Sequence, residues 1–264
     1  MSKKMLIKIG TALAIIAVVL APILYGGVPM MILTAAAVIA SAYEIAGLKD
    51  ETKPQWGLFA FNAAGMLILS ASDISKVPMG ISIWLMALFF LALLYEPFDC
   101  DQVVYTFSAS MIVVFAVHAV RRIYASSFGW EGMLFVGLAT FICDTAAYFF
   151  GSFLGKHKMI PRVSPNKTWE GAIGGYVCGV IIAMLFGLFA AKSLPSDLVI
   201  VAALTLPAVA EVGDLAFSLI KRRWGMKDFG SIFPGHGGVL DRIDSLLFCL
   251  MIFNAMMIWK GIGL

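Results

Sequence analysis

The chain is short of charge. Only 13% of its 264 residues are Asp, Glu, Lys or Arg, and 61% are apolar. A soluble domain carries about 25% and about 45–50% respectively. There are three histidines, at 118, 157 and 236, so a His-rich metal centre is excluded. The four cysteines, Cys100, Cys143, Cys178 and Cys249, form no C-x-x-C pair, and three of them lie inside apolar runs. A zinc site or disulfide framework has no basis there, and small apolar core residues are the simpler reading. Internal repeats, low-complexity tracts and a soluble appendage are also missing. The net charge of +3 is too small to imply a nucleic-acid partner, and where the charges lie matters more.

What is present is apolar length. The mean hydropathy is +0.94. Nine runs approach or reach the 17–25 residues needed to cross a bilayer, at about 5–25, 28–47, 57–72, 80–96, 103–120, 131–151, 170–191, 197–220 and 243–259. The third is the weakest, being short and containing Asn62. The basic start, Met1 to Lys8, followed by an apolar run, has the look of a signal peptide. It lacks a convincing small-x-small cleavage site, so an uncleaved first span is expected. The reading is an all-α polytopic membrane protein with about nine transmembrane helices. Its 264 residues are expected to form one membrane domain, with N-terminal helices over 1–130 and the site-bearing helices and loops over 131–264.

Orientation follows from the cations. With nine spans and the N-terminus inside, fourteen of the nineteen Lys and Arg residues fall on the cytoplasmic side. The two largest polar loops, about 152–169 and 221–242, then share that face and can build one site. In the seventh span Gly171, Gly175 and Gly179 recur every fourth residue, which suits close helix packing; lining a ligand is the lesser alternative.

Charge is concentrated near the C-terminal end. Glu211, Asp214, Ser218 and Lys221 follow i, i+3, i+7, i+10 spacing and form one polar stripe on an apolar rod. Lys221 and Arg222 can be snorkelling residues at a helix end. Asp214 is too short for that and lies more than one turn inside, where a carboxylate marks function. The next loop ends in Pro234-Gly235-His236-Gly237-Gly238, whose N–H groups can cradle an anion. Asp241, Arg242 and Asp244 follow at once. With Asp214, these two aspartates supply up to three carboxylates, enough for one or two magnesium ions. Capping of the last helix is the competing role for Asp241 and Asp244. Lys227 and Asp228 lie in the same loop.

The other polar loop holds Lys156, Lys158, Ser164, Pro165, Lys167, Thr168 and Glu170. Ser164-Pro165 reads as a helix N-cap followed by proline at the first helical position. A helix N-terminus beside Lys167 and Thr168 is a ready anion site. Lys156 and Lys158 serve equally well as topology signals or anionic-lipid contacts. Upstream, Asp144 sits inside a span and shares a helix face with Tyr148 and Gly151. Glu44, in the second span, has no assignable role.

The 27 residues from Ser218 to Asp244 resemble the signature of the phosphatidate cytidylyltransferases, also called CDP-diacylglycerol synthases. Asp144-x-x-Ala147-Tyr148-x-x-Gly151-x-x-x-Gly155-Lys156 and Ser164-Pro165-x-Lys167-Thr168-x-Glu170-Gly171 are similar to the bacterial members. The resemblance covers roughly residues 140–250. It implies an all-helical, dimeric membrane enzyme of the cytoplasmic (inner) membrane that converts CTP and phosphatidic acid to CDP-diacylglycerol and pyrophosphate with magnesium. The family's metal carboxylates map onto Asp214 and Asp241. In that frame Lys221, Arg222, Lys227 and Arg242 would offset phosphate charge, and the Gly235–Gly238 loop would wrap a phosphate group. His236 would either donate to the leaving pyrophosphate or brace the loop. Asp144, Tyr148, Ser164, Lys167, Thr168 and Ser218 would contact substrates. Two alternatives stay open: a same-fold enzyme acting on another lipid phosphate, and a transporter of an anionic substrate.

Overall fold

The computed structural model describes residues 17–47, 55–233 and 237–262. Helix α1 covers 17–25 and breaks at Gly26, whose φ of 63° ends it before α2 (Gly27–Ala46). Then come α3 (Trp56–Ala71), a 3-10 turn (Ile74–Lys76), α4 (Val77–Leu94), α5 (Cys100–Ala125) and α6 (Gly129–Leu154). A two-stranded antiparallel hairpin, β1 (Lys158–Ile160) and β2 (Ser164–Thr168), leads into α7 (Trp169–Leu185), which runs on as a π-helical turn, Phe186–Ala190. The last helices are α8 (Ser196–Arg223) and α9 (Leu240–Trp259).

This is an all-α membrane protein. Among the described residues seven helices are long and apolar enough to span a bilayer, against the nine runs read from the sequence. The third run is α3, which is apolar but has only 16 residues, about 24 Å at 1.5 Å per residue. Of the first run only 17–25 lies within the described residues.

α5 is the most buried of the seven spans. Its start is fixed by a capping box between Asp99 and Gln102. Ser110 on α5 donates to Asn62 Oδ1 (3.0 Å), which gives the buried Asn62 of α3 a partner. Farther along α5, Arg121 Nη1 donates to the Ser70 and Ser72 carbonyls at the end of α3 (2.6 and 2.8 Å). Phe98, Phe135, Phe217 and Phe253 are wholly buried in the core between these helices.

The closest crossing is α6 on α7, and it depends on glycine. A Cβ on Gly175 would lie 2.6 Å from the Cys143 carbonyl oxygen and 2.7 Å from Ala147 Cβ. The four-residue glycine spacing therefore serves packing, as read from the sequence.

The hairpin corrects one expectation. Ser164 and Pro165 do not open a helix; both lie in β2. Helix α7 begins four residues later, where Thr168 is its N-cap and accepts from Gly171 N (3.2 Å). Proline, which lacks an N–H, is tolerated in a two-stranded edge. The hairpin base is closed by Glu170, whose carboxylate accepts from Lys156 N (3.1 Å) and His157 N (3.2 Å) and meets His157 Nδ1 at 2.5 Å. Local helix-start grammar is overridden by this clasp.

Candidate active site

A cavity of about 630 Å3 lies where α6, the hairpin, α7, α8 and α9 meet. Five acidic side chains line it: Asp144 from α6, Glu211 and Asp214 from α8, and Asp241 and Asp244 from α9. Three basic ones face them, Lys158, Lys167 and Arg242. Tyr148, Ser164 and Thr168 complete the expected contacts, with the Tyr148 ring largely exposed at the rim. The two polar loops and the intramembrane Asp144 thus reach one place.

Lys167 crosses the cavity wall from β2. Its Nζ lies 2.6 Å from Glu211 Oε2 and 2.7 Å from Asp214 Oδ2. Burial pushes the Lys167 pKa down, but the Asp214 and Glu211 carboxylates more than offset this and hold it above the ordinary lysine range. Lys167 is a fixed positive charge there at neutral pH. Ser218, one turn beyond Asp214, donates weakly to Asp214 Oδ1 (3.5 Å).

The polar stripe on α8 divides. Glu211 and Asp214 face the cavity, whereas Lys221 is buried away from it and pairs with Asp241 Oδ1 (2.7 Å). Asp241 Oδ2 accepts from Phe229 N (2.7 Å) and Gly238 N (3.0 Å). Asp241 therefore stitches α8, the loop and α9 together. Among the described residues Asp244 Oδ1 accepts a local bond, from Ser245 N (2.9 Å).

Several expected site residues take other positions. Arg222 donates through Nε to the Val163 carbonyl (3.1 Å) and through Nη1 to the Met226 carbonyl (3.1 Å), bracing two loops. Lys227 and Asp228 are exposed and do not line the cavity. The expected phosphate cradle is also changed. Gly237 has the positive φ (79°) that the turn requires. The Gly238 N–H, however, is taken by Asp241, and the Val239 and Leu240 N–H groups are taken by Glu44 (2.6 and 2.8 Å). Carboxylates of the chain itself occupy those donors. Gly235 and His236 lie outside the described residues.

Glu44 and Glu211 are two further carboxylates that the structure engages, Glu44 at the start of α9 and Glu211 in the cavity. Glu211 was legible as part of the stripe. Glu44 was not, because its partners lie 195 and 196 residues away.

The acidic wall has the chemistry for a hard cation. Asp144, Asp214 and Asp244 line it together, from α6, α8 and α9. Glu211 Oε1 and Ser245 Oγ are buried beside them with no hydrogen-bond partner among the described residues. No three His, Cys, Asp or Glu side chains among the described residues converge as a closed metal cage. Magnesium does not require one, since it uses one or two carboxylates and completes its shell with water and phosphate oxygens. The residues fit the ion.

A polytopic α-helical membrane protein with an acidic, lysine-bridged cavity among its helices is the class these features define. The chain belongs to the cytidylyltransferase family, whose model matches residues 6–259. It is similar to the phosphatidate cytidylyltransferase of Staphylococcus saprophyticus, at 36% identity over 177 residues, 66% of this chain and 68% of that protein. The protein of the same name from Bacillus subtilis is 35% identical over 181 residues, 68% of this chain and 67% of the relative. That of Staphylococcus haemolyticus is 42% identical over 130 residues, 49% of this chain and 50% of the relative.

Proposed function

We propose that this enzyme transfers the cytidylyl group of CTP to phosphatidic acid, giving CDP-diacylglycerol and pyrophosphate in phospholipid synthesis. Family membership and the relatives' names support the reaction. The observation that carries it is the meeting of acidic α-helix residues and basic hairpin residues in one cavity.

A phosphate oxygen of phosphatidate attacks the α-phosphorus of CTP. The new P–O bond forms as the bond to the bridging oxygen breaks, and pyrophosphate leaves with the electron pair. The nucleophile is already ionised, so little general-base help is required. The obstacle is repulsion between anions, and catalysis is positioning and charge neutralisation. Asp214, with Asp144 or Asp244 beside it, would hold magnesium, and Asp241 would fix the α9 start; the ion would supply positive charge against the CTP phosphates. Lys167 and Arg242, which stand beside the carboxylates, would meet phosphate oxygens, and Lys158 lies at the hairpin side of the same cavity. Ser164, Thr168 and Tyr148 would orient the substrates.

The topology proposed with this reading has nine spans, a cytoplasmic N-terminus and a cytoplasmic active site in the inner membrane, in one membrane domain that pairs as a homodimer. The asymmetry of Lys and Arg supports the orientation. The test is purified protein with labelled CTP and phosphatidate, with and without magnesium. Magnesium-dependent release of pyrophosphate with formation of CDP-diacylglycerol is expected. No pyrophosphate from CTP would refute the reading. Turnover only with an isoprenoid-ether lipid phosphate would assign the chain to that substrate instead.

A further inference from the structure

Helix α9 begins without a local cap. Its N-cap residue is Val239, in helical geometry and with no side-chain hydrogen bond. The first N–H groups of a helix lack intrahelical acceptors and need partners from elsewhere. Glu44, at the far end of α2, supplies them. Its carboxylate is 1% exposed, and Oε1 and Oε2 each accept one N–H, from Val239 and Leu240. A carboxylate at a helix start is also favoured by the helix dipole.

The fit around this carboxylate is close. A Cβ on Gly238 would overlap the Glu44 carboxyl oxygens, and one on Gly230 would lie 3.1 Å from Oε1. Gly230 and Gly238 therefore pack directly against Glu44. The helix start that Glu44 pins carries Asp241 and Arg242 in its first turn and Asp244 just beyond it, and all three line the cavity. A helix held at its first turn has its rotation and height fixed, so the position of Glu44 is transmitted to all three side chains. Asp241 binds the neighbouring N–H of Gly238, and the two carboxylates divide the loop's donors between them.

We propose that Glu44 is a positioning residue for the reaction: through the Val239 and Leu240 N–H groups it sets the start of α9 so that Asp241, Arg242 and Asp244 face the cavity. It does not line the cavity itself. This rests on the proposed cytidylyl transfer for its catalytic consequence, though not for the cap.

The test uses the full chain with Glu44→Gln and Glu44→Asp. Glutamine keeps the size but presents one acceptor and one NH2 group, so one backbone N–H loses its partner. In ligand-free protein, amide exchange over 237–242 is expected to quicken at least tenfold in Glu44→Gln, while amides in the middle of α5 exchange as before. In the same folded protein kcat is expected to fall about 10- to 100-fold, since small misplacement of reacting groups costs that much. KM for CTP should change far less. Glu44→Asp, which keeps both acceptors, should recover part of kcat. Wild-type exchange over 237–242 in Glu44→Gln would overturn the cap. A lower yield or melting temperature with kcat unchanged in the folded fraction would overturn the positioning role. Wild-type protein that releases no pyrophosphate from CTP would remove the proposed reaction, and the exchange measurement would still decide the cap.

Discussion

Lys221 separates a buried ion pair from a substrate-facing cation. Its side chain is 9% exposed, and that of Asp241 is 2% exposed, with 2.7 Å between Nζ and Oδ1. The ammonium also lies 5.3 Å from the centre of the Phe229 ring. An exposed pair of this kind contributes about 0–1 kcal/mol. Removing one partner of a buried pair costs about 3–5 kcal/mol, because the other charge is left in a low-dielectric site. In Lys221→Met the methionine fills much of the lysine volume, and Asp241 keeps only the Phe229 and Gly238 N–H bonds. At about 2–4 °C per kcal/mol for a chain approaching this size, the expected loss in melting temperature is roughly 6–20 °C. The assay is thermal unfolding of detergent-purified protein, followed by the fraction that stays monodisperse after heating. The double variant Lys221→Met/Asp241→Asn removes both charges and should lose less than the two single losses combined. A melting point within a degree or two of wild type for Lys221→Met would refute the buried-pair reasoning. So would a double variant showing the full sum.

Four further outcomes are expected. Asp144→Asn and Asp214→Asn should each lower turnover by at least about 100-fold in a protein that still melts near the wild-type temperature, measured as pyrophosphate release at ordinary magnesium. Lys167→Ala should lower kcat/KM by at least about tenfold, while Arg223→Ala, which breaks only an exposed pair with Asp101, should leave it unchanged. Thr168→Val removes the α7 cap and should cost about 1 kcal/mol of stability, read from the same melting assay. Cysteines introduced near Gly155 and Gly230 should be labelled from one and the same side of the membrane, the cytoplasmic one, and a cysteine near Leu264 from the other.

The spans were legible because burial in lipid demands apolar length, and length survives any detail of packing. The packing face of α7 is legible for a similar reason: Gly171, Gly175 and Gly179 announce a close approach by their spacing alone, while the partner, α6, comes only from the structure. Asp144 and Asp214 stand out by the cost of a carboxylate in an apolar run, and Asp244 by its place after the Gly-rich loop; the structure brings all three to one cavity with Lys167. What failed depended on long-range partners. Ser164-Pro165 has the form of a helix start, but strand pairing and the Glu170 clasp place the start at Thr168. Lys221 and Arg222 are adjacent and both cationic, yet one is spent on Asp241 and the other on two carbonyls. Glu44 had no readable role because a cap supplied from 195 residues away leaves no local pattern. Charge type is legible in a sequence; which charge is already paired is not.

That distinction bears on how an acidic cavity accepts anionic substrates. Five carboxylates against three cations leave the lining with an excess of negative charge. Asp241 is neutralised from behind by Lys221, and Glu211 and Asp214 share Lys167. Asp144 and Asp244 have no side-chain ion pair within the described residues. Two phosphate-bearing substrates cannot settle against such a wall without added positive charge, since each close pair of like charges costs about 1 kcal/mol even at the dielectric of water and more in a partly buried site. On the proposed reaction the carboxylates would hold a cation, and the basic side chains among them would meet phosphate. Lys167 is the residue common to both. Its tether to Asp214 gives the phosphates and the carboxylates a shared boundary, and the charge balance of the cavity turns on that contact.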